Sequence, residues 1–357
     1  MMDKSHVLHY RLHNQRLIND KLSTPLEVVK WFGALQAQDY QPSLWGIGLR
    51  LGKPSIEKIE KAIEERQILR TWPMRNTIHF VPAKDAAWML KLLTPRASAR
   101  AASVYRKAEL DEAVFLKSTE IITKSLQGRK CLTRKELYGA LESAGIDTSN
   151  SRGVHILGQL AYRGLICFGP RSGKQPTFVL LDEWVLDSIK LEGAHALAEI
   201  ARRYFISHGP ATVQDFAWWS GLSLGEAKRG LQYIQNELRS EHIDGVMYWF
   251  SPINSDDIGE EHSVQLLPVY DEFTVAYKDR NLFLPTNNQK DTNNGISRVI
   301  VKNGQIIGKW DQEVKKDQVK IILYLFIVLD SQLKKDINQA IEQYSDFLTL
   351  PIVIVYK

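Results

Sequence analysis

Two glutamines separated by one alanine, in Leu35-Gln36-Ala37-Gln38-Asp39-Tyr40, close an apolar helical stretch that begins at Thr24. Their carboxamides do not titrate, so the chemistry open to them is to hold a water or another polar group by hydrogen bonds. On a continuous helix residues i and i+2 point about 200° apart, and the pair could not share a site. They converge only where the helix ends or distorts, and Gln41-Pro42 supports a break, because the residue before proline is pushed out of helical geometry. Spacing alone leaves the pair as polar decoration of a helix end.

Other constellations give less. His6, His9 and His13 fall at i, i+3 and i+7, one face of a helix, and read as a partly buried polar face, since acidic or thiol ligands do not flank them. Gly169 to Lys174 looks like a phosphate loop, but only three residues separate its glycines and Gln175 stands where a magnesium-binding hydroxyl belongs. A β-hairpin explains it better. Gly46-Ile47-Gly48-Leu49-Arg50-Leu51-Gly52 places its third glycine one position late for a dinucleotide fingerprint. Neither a Ser–Gly elbow with a triad nor an activated cysteine is evident. Two cysteines, Cys131 and Cys167, make no disulfide framework, and there is no C-x-x-C. No cofactor and no metal are expected.

The positive charge is concentrated. Among 357 residues the formal net charge is +5, yet Thr94 to Pro176 holds fourteen Lys/Arg against seven Asp/Glu, while Asn254 to Asn294 holds eight acids against three bases. Arg129, Lys130, Arg134, Lys135, Arg152, Arg163, Arg171 and Lys174 supply the basic middle, and such side chains suit phosphate contacts that fix position on a duplex. A solvated surface is the plain alternative. With 44% hydrophobic and 24% charged residues, the composition is that of a globular chain of roughly two or three domains. The apolar run Val319 to Leu329 is too short for a bilayer and carries Lys320. Neither a signal peptide nor a membrane span is read, so the expected setting is the cytoplasm.

The elements that must carry these residues repeat. Thr133-Arg134-Lys135-Glu136 is a capping box opening a helix that Gly145 stops. A second helix, Arg152 to Arg163, ends at Gly164; Leu165 to Phe168 and Thr177 to Leu181 then flank a basic loop. Helix, helix, strand, loop, strand is the order of a winged helix-turn-helix. Another copy runs from His208 through helices to strands Leu238–Ile243 and Val246–Phe250 around Asp244-Gly245, a hairpin turn. An earlier copy has helices Thr24 to Gln38 and Ser55 to Arg66 before strands spanning Leu69 to Val81. After Pro252 short strands dominate, with an Asn303-Gly304 turn, a polar loop at Asn281 to Asn294, a helix from Ser331 to Phe347 and a last strand from Pro351 to Tyr356. The expected boundaries are 1–93, 94–190 and 191–253 for three winged helices and 254–357 for a β-rich domain.

In this context Leu35-Gln36-Ala37-Gln38 resembles the Gln–apolar–Gln motif of AlkZ-like winged-helix DNA glycosylases. Arg70-Thr71-Trp72-Pro73-Met74-Arg75-Asn76-Thr77-Ile78-His79, Leu266-Leu267-Pro268-Val269-Tyr270-Asp271-Glu272-Phe273 and Asn303-Gly304-Gln305-Ile306-Ile307-Gly308-Lys309-Trp310 are similar to further stretches of that family. The resemblance implies an α+β fold of three tandem winged helices around a concave DNA channel, plus a C-terminal β-barrel-like domain. It implies a monomeric, monofunctional, metal-independent enzyme of DNA repair that hydrolyses the N-glycosidic bond of alkylated purines in double-stranded DNA, in some members including interstrand crosslinks. Its paired glutamines map onto Gln36 and Gln38, and Arg75 joins the expected DNA contacts. Asn76 stands where the family has glycine; asparagine tolerates the left-handed backbone best among the substitutes. A non-enzymatic DNA-binding protein, such as a regulator, is the alternative reading.

Overall fold

The computed structural model describes residues 3–252, 263–284 and 297–357. In chain order the elements are α1 (Lys4–Asn14), α2 (Pro25–Phe32), β1 (Leu35–Gln36), α3 (Tyr40–Gly48), α4 (Ile56–Glu64), β2 (Ile68–Met74), β3 (Thr77–Pro82), α5 (Ala86–Lys107) and α6 (Glu112–Leu126). Then come β4 (Leu132–Thr133), α7 (Arg134–Ser143), α8 (Arg152–Tyr162), β5 (Ile166–Phe168), β6 (Thr177–Leu180), α9 (Leu181–Trp184), α10 (Gly193–His208), α11 (Val213–Ser220) and α12 (Leu224–Ile234). The rest are β7 (Arg239–Ile243), β8 (Val246–Phe250), β9 (Val264–Leu267), α13 (Glu272–Val275), β10 (Val299–Lys302), β11 (Gln305–Val314), β12 (Val319–Leu325), α14 (Ser331–Leu348) and β13 (Ile352–Tyr356). The fold is mixed α+β.

One expected helix is cut short. α2 opens on a capping box between Thr24 and Glu27 and stops at Phe32, because Gly33 takes a φ of +79°, the left-handed geometry that ends helices at glycine. Residues 35–36 are therefore extended, and Pro42 sits in the first turn of α3, where its missing N–H costs nothing. The proline marks a helix start.

The chain forms two compact units. One takes the chain up to Glu60, Ala198–Trp219 and Ser223 onward; the other takes Lys61–Leu197 and Ser220–Leu222. In the second unit the antiparallel strands run in the order β3-β2-β5-β6-β4. β4 joins the sheet through Leu132 opposite Phe178, so α6, β4, α7, α8, β5 and β6 follow one another as helix, strand, two helices and a hairpin. The capping box of α7 forms as its sequence predicts, with Glu136 accepting from the Thr133 backbone N–H at 2.7 Å. Gly145 and Gly164 take left-handed φ at the two helix ends. Leu137, Leu141, Ile156, Leu160, Ile166 and Phe178 fill the core between these elements. The β2–β3 turn has φ +54° at Arg75 and +58° at Asn76, a two-residue hairpin that asparagine can occupy without glycine.

In the first unit β13-β12-β11-β10-β9 form an open sheet with β13 parallel to β12. Among the described residues its edges β9 and β13 do not meet, so no barrel closes, which corrects the barrel expected here. α14 lays Leu333, Ile337, Ile341, Tyr344 and Phe347 into the buried side. Trp45 and Trp310 both donate from their indole nitrogens to β9, to Leu266 O at 2.8 Å and Leu267 O at 2.9 Å. Both also pack against Tyr344, so two tryptophans tie α3 and β11 to one strand. The turns Asp244-Gly245 and Asn303-Gly304 have positive φ at both residues, as their sequences predict. Residues 254–262 and 285–294 of the acidic stretch, and with them the polar loop from 285 onward, lie outside the described residues. No described helix is long and apolar enough to cross a membrane.

Candidate active site

Because α2 stops at Phe32, the glutamine pair lies off the helix, and the 200° objection no longer applies. Leu35 and Ala37 are buried, whereas Gln36 is half-buried and Gln38 exposed. Burial alternates as on an extended chain, although only Leu35–Gln36 is strand and Gln38 stands in the bend that follows. Two apolar side chains, Leu35 and Ala37, anchor the segment in the core, and the two glutamines are the more accessible residues beside them. The helix stop at Gly33 produces this arrangement.

Behind the segment lies an acidic floor. The backbone N–H of Gln36 donates to Glu272 Oε1 at 2.8 Å. Glu272, only 1% exposed, also accepts from the indole N–H of Trp219 through Oε2 at 3.0 Å and has His208 Nε2 at 3.4 Å. Burial lowers the pKa of His208 from 6.5 despite the pull of Glu272 in the other direction, so its imidazole is neutral near pH 7. His208 lies flat against Tyr204 at 4.7 Å and edge-on to Phe32 at 5.3 Å. The neighbouring Asp271 is held by both terminal nitrogens of Arg50 at 2.8 Å and accepts from the Phe273 N–H at 3.0 Å. Arg50 spends its remaining donors on Gly46 O, Gln15 O and the Gln15 side chain, while Gln15 donates to Tyr277, whose hydroxyl donates to His208 O. Every charge in this floor meets hydrogen-bonding partners, the condition for burying ions at all.

Leu35, Gln36, Ser43, Gly46 and Pro268–Glu272 line a cleft with about 10 Å³ of room for a water's centre, about the least that admits one water. Tyr270 enters it with φ +60°, a strained conformation for a bulky side chain. The cleft can hold a small polar molecule beside Gln36. It cannot hold a purine.

The basic residues singled out from the sequence all lie in the second unit. Arg129, Lys130, Arg134, Lys135 and Lys174 are exposed, around the start of α7 and in the β5–β6 loop; Arg171 is half-buried in the same loop and reaches Lys174 O. Arg75 sits in the β2–β3 turn, 3.2 Å from His79 Nε2. Two others are committed within the chain. Arg152 donates to Asp147 O at 3.0 Å and to the carbonyls of Ala108 and Glu109, and Arg163 clasps Glu112 through two bonds of 3.0 and 2.6 Å. The described residues contain no group of three His, Cys, Asp or Glu side chains suited to a metal; His13 of the N-terminal histidines is buried while His6 is exposed.

Composition and spacing did not single out Arg50, His208, Asp271 or Glu272. A usable signal was present: two adjacent carboxylates inside the apolar run Leu266–Val275, and an arginine inside the apolar run around Gly46–Gly52. The glycines set aside there as a false nucleotide motif flank the arginine that steadies Asp271.

The architecture matches a solved structure, the DNA glycosylase AlkZ of Streptomyces sahachiroi, with a TM-score of 0.81 over 99% of this chain and 100% of that one at 22% identity. Residues 29–347 match the family described as DNA glycosylase AlkZ-like, and the chain belongs to that family of DNA glycosylases. It is also similar, at 25% identity over 328 residues covering 86% of this chain and 88% of the relative, to the interstrand DNA cross-link repair glycosylase of Streptomyces sahachiroi.

Proposed function

We propose that this chain hydrolyses the N-glycosidic bond of alkylated purines in double-stranded DNA, interstrand crosslinks included, with Gln36 and Gln38 as the catalytic residues. It acts as a monomer without a metal and leaves an abasic site, since no lysine nucleophile is called for. A purine alkylated at N7 or N3 is already cationic and departs without a strong general acid. What remains is to place a water and to support positive charge developing on the sugar. Carboxamide oxygens held rigidly can do both. The observation that carries this reading is the burial at residues 35–38: Leu35 and Ala37 are buried, Gln36 is half-buried and lines a cleft of water size, and Gln38 is exposed. The small cleft also favours a lesion met at the surface over one swallowed whole, as a crosslinked base requires.

The finer architecture belongs to the same proposal: winged helices at 1–93, 94–190 and 191–253, then the β-rich part from 254 to 357. The α6–β6 order supports the second copy. The order α10, a bridge from Ala211 to Trp249, α11, α12 and the β7–β8 hairpin supports the third. Phosphate contacts fall to Arg75, Arg129, Lys130, Arg134, Lys135, Arg171 and Lys174, with Arg152 and Arg163 shaping the scaffold that carries them.

The test is release of free alkylpurine from N7-methylated duplex. Wild-type protein releases base, and the Gln36→Ala/Gln38→Ala double variant is slowed by about 10²–10³-fold. Binding of lesion duplex without release, or undiminished release by the double variant, would leave the non-enzymatic DNA-binding reading in its place.

A further inference from the structure

Tyr270 lines the same cleft as Gln36 in a conformation that does not suit it. Its φ is +60°, in the left-handed region that a bulky residue rarely enters. The turn from β9 through Pro268 to the start of α13 places it there, and the chain just beyond is fixed by Asp271, which Arg50 clamps and whose carboxylate accepts from the Phe273 N–H. Glycine or asparagine would take such a φ more readily. A strained aromatic held by its surroundings is a pattern that recurs at functional sites.

The strained position sets at the cleft a ring that has no task inside the protein. Tyr270 is half-buried. Among the described residues its hydroxyl makes no hydrogen bond, its ring meets no other aromatic ring, and no Lys or Arg lies over its face. Neighbouring aromatics are committed: Tyr277 to Arg11 and Gln15, Trp219 to Glu272 and Tyr204. We propose that Tyr270 selects the lesion, the face of its ring stacking on a purine made cationic by alkylation at N7 or N3 as that base tips out of the helix beside Gln36. This rests on the glycosylase reading above. The face of an aromatic ring carries negative potential and attracts a cation, and bases stack on such rings in nucleic-acid sites. An unmodified purine lacks the charge, so the ring gives less against the cost of unstacking it. A cleft with room for water alone leaves the base outside, where a half-buried ring can reach it. When the glycosidic bond breaks, its electron pair passes to the purine, which becomes neutral while the sugar takes the positive charge. The contact is therefore strongest before the reaction and acts on selection rather than on rate.

Substitution separates the ring from its bulk and from its backbone. Tyr270→Phe keeps the ring, Tyr270→Leu keeps apolar bulk without it, and Tyr270→Gly suits the left-handed backbone best. Fluorescence anisotropy gives affinities for N7-methylated and unmodified duplex in the Gln36→Ala/Gln38→Ala background, so that bound lesion persists; single turnovers at saturating methylated duplex, with both glutamines intact, give the release rate. The expected result is affinity for methylated duplex weakened about tenfold by leucine or glycine and kept by phenylalanine. Affinity for unmodified duplex and the saturating release rate stay within about threefold throughout. Should the leucine variant not fold, the phenylalanine and glycine variants decide. Equal affinity of the tyrosine protein for both duplexes, an undiminished preference in the leucine and glycine variants, equal weakening on both duplexes, or a loss confined to the release rate overturns the proposal. A wild-type protein that releases no base defeats the glycosylase reading instead, and the ratio of the two affinities still tells whether Tyr270 reads the charge.

Discussion

The backbone N–H of Gln36 and the carboxylate of Glu272 meet at 2.8 Å across 236 positions of sequence. Glu272 is the first residue of a four-residue helix whose preceding residue, Asp271, is clamped by Arg50. The clamp holds the residue next to Glu272, and Glu272 in turn accepts from the backbone of Gln36. Breaking the Arg50–Asp271 pair from one side strands a buried charge, which costs about 3–5 kcal/mol. Arg50→Met and Asp271→Asn should each lose stability on that scale in urea titrations. A loss under about 1 kcal/mol would show the pair to be dispensable.

Stability should fall in mild acid. His208 is fully buried with its pKa lowered from 6.5, first by desolvation and against the opposing pull of Glu272. A depressed folded-state value means the unfolded chain binds the proton more readily. The stabilisation is complete above about pH 6.5 and is lost as pH falls toward the folded value, at up to about 1.4 kcal/mol per pH unit from this group. Denaturation midpoints between pH 7.5 and 5.5 measure it. His208→Asn should show a shallower dependence than the wild type; an equal slope in the two proteins assigns the effect elsewhere.

The basic residues should divide into two classes by their salt dependence. Replacing exposed Lys130, Arg134, Lys135 or Lys174 by glutamine should lower the slope of log K against log salt by up to about 0.9 for each phosphate left without its cation. Arg163→Gln should leave that slope unchanged and instead lower stability by up to about 1 kcal/mol, because Arg163 is already paired with Glu112. Fluorescence anisotropy on a short duplex across a salt series reads the slopes, and urea titration reads the stability. Equal slopes for all the variants would place the DNA away from α7 and the β5–β6 loop.

At the β2–β3 turn, Asn76 holds φ +58° and accepts from the Tyr162 hydroxyl through Oδ1 at 2.9 Å. Asn76→Ala puts a less tolerant residue in the left-handed region and removes that bond, so it should cost about 1–2 kcal/mol. Asn76→Gly loses the bond but relieves the backbone and should cost less than the alanine variant. Thermal denaturation of the two variants gives the ranking, and a reversed order would show that backbone conformation is not what the position selects.

Local chemistry was legible in the sequence wherever neighbours along the chain decide the outcome. The capping box of α7, the glycine stops at Gly145 and Gly164, and the turns at Asp244-Gly245 and Asn303-Gly304 each depend on a few adjacent residues and appear where the sequence places them. The family was legible as well, from motifs spread from near residue 35 to 310. The helix expected from Thr24 to Gln38 ends at Phe32, because the glycine stop at Gly33 acts before the break expected at Gln41-Pro42.

What folding alone decided is long-range pairing. Adjacent carboxylates at 271 and 272 look solvated in a linear string, since nothing nearby in sequence says that Arg50, Trp219, His208 and the Gln36 amide converge on them. The two compact units draw on separated stretches of chain for the same reason. Burying a charge requires partners that close every hydrogen bond, and those partners are brought together only by tertiary packing. The sequence by itself determined that two glutamines stand one residue apart; the folded chain took them off the helix and set a buried carboxylate against the backbone of Gln36.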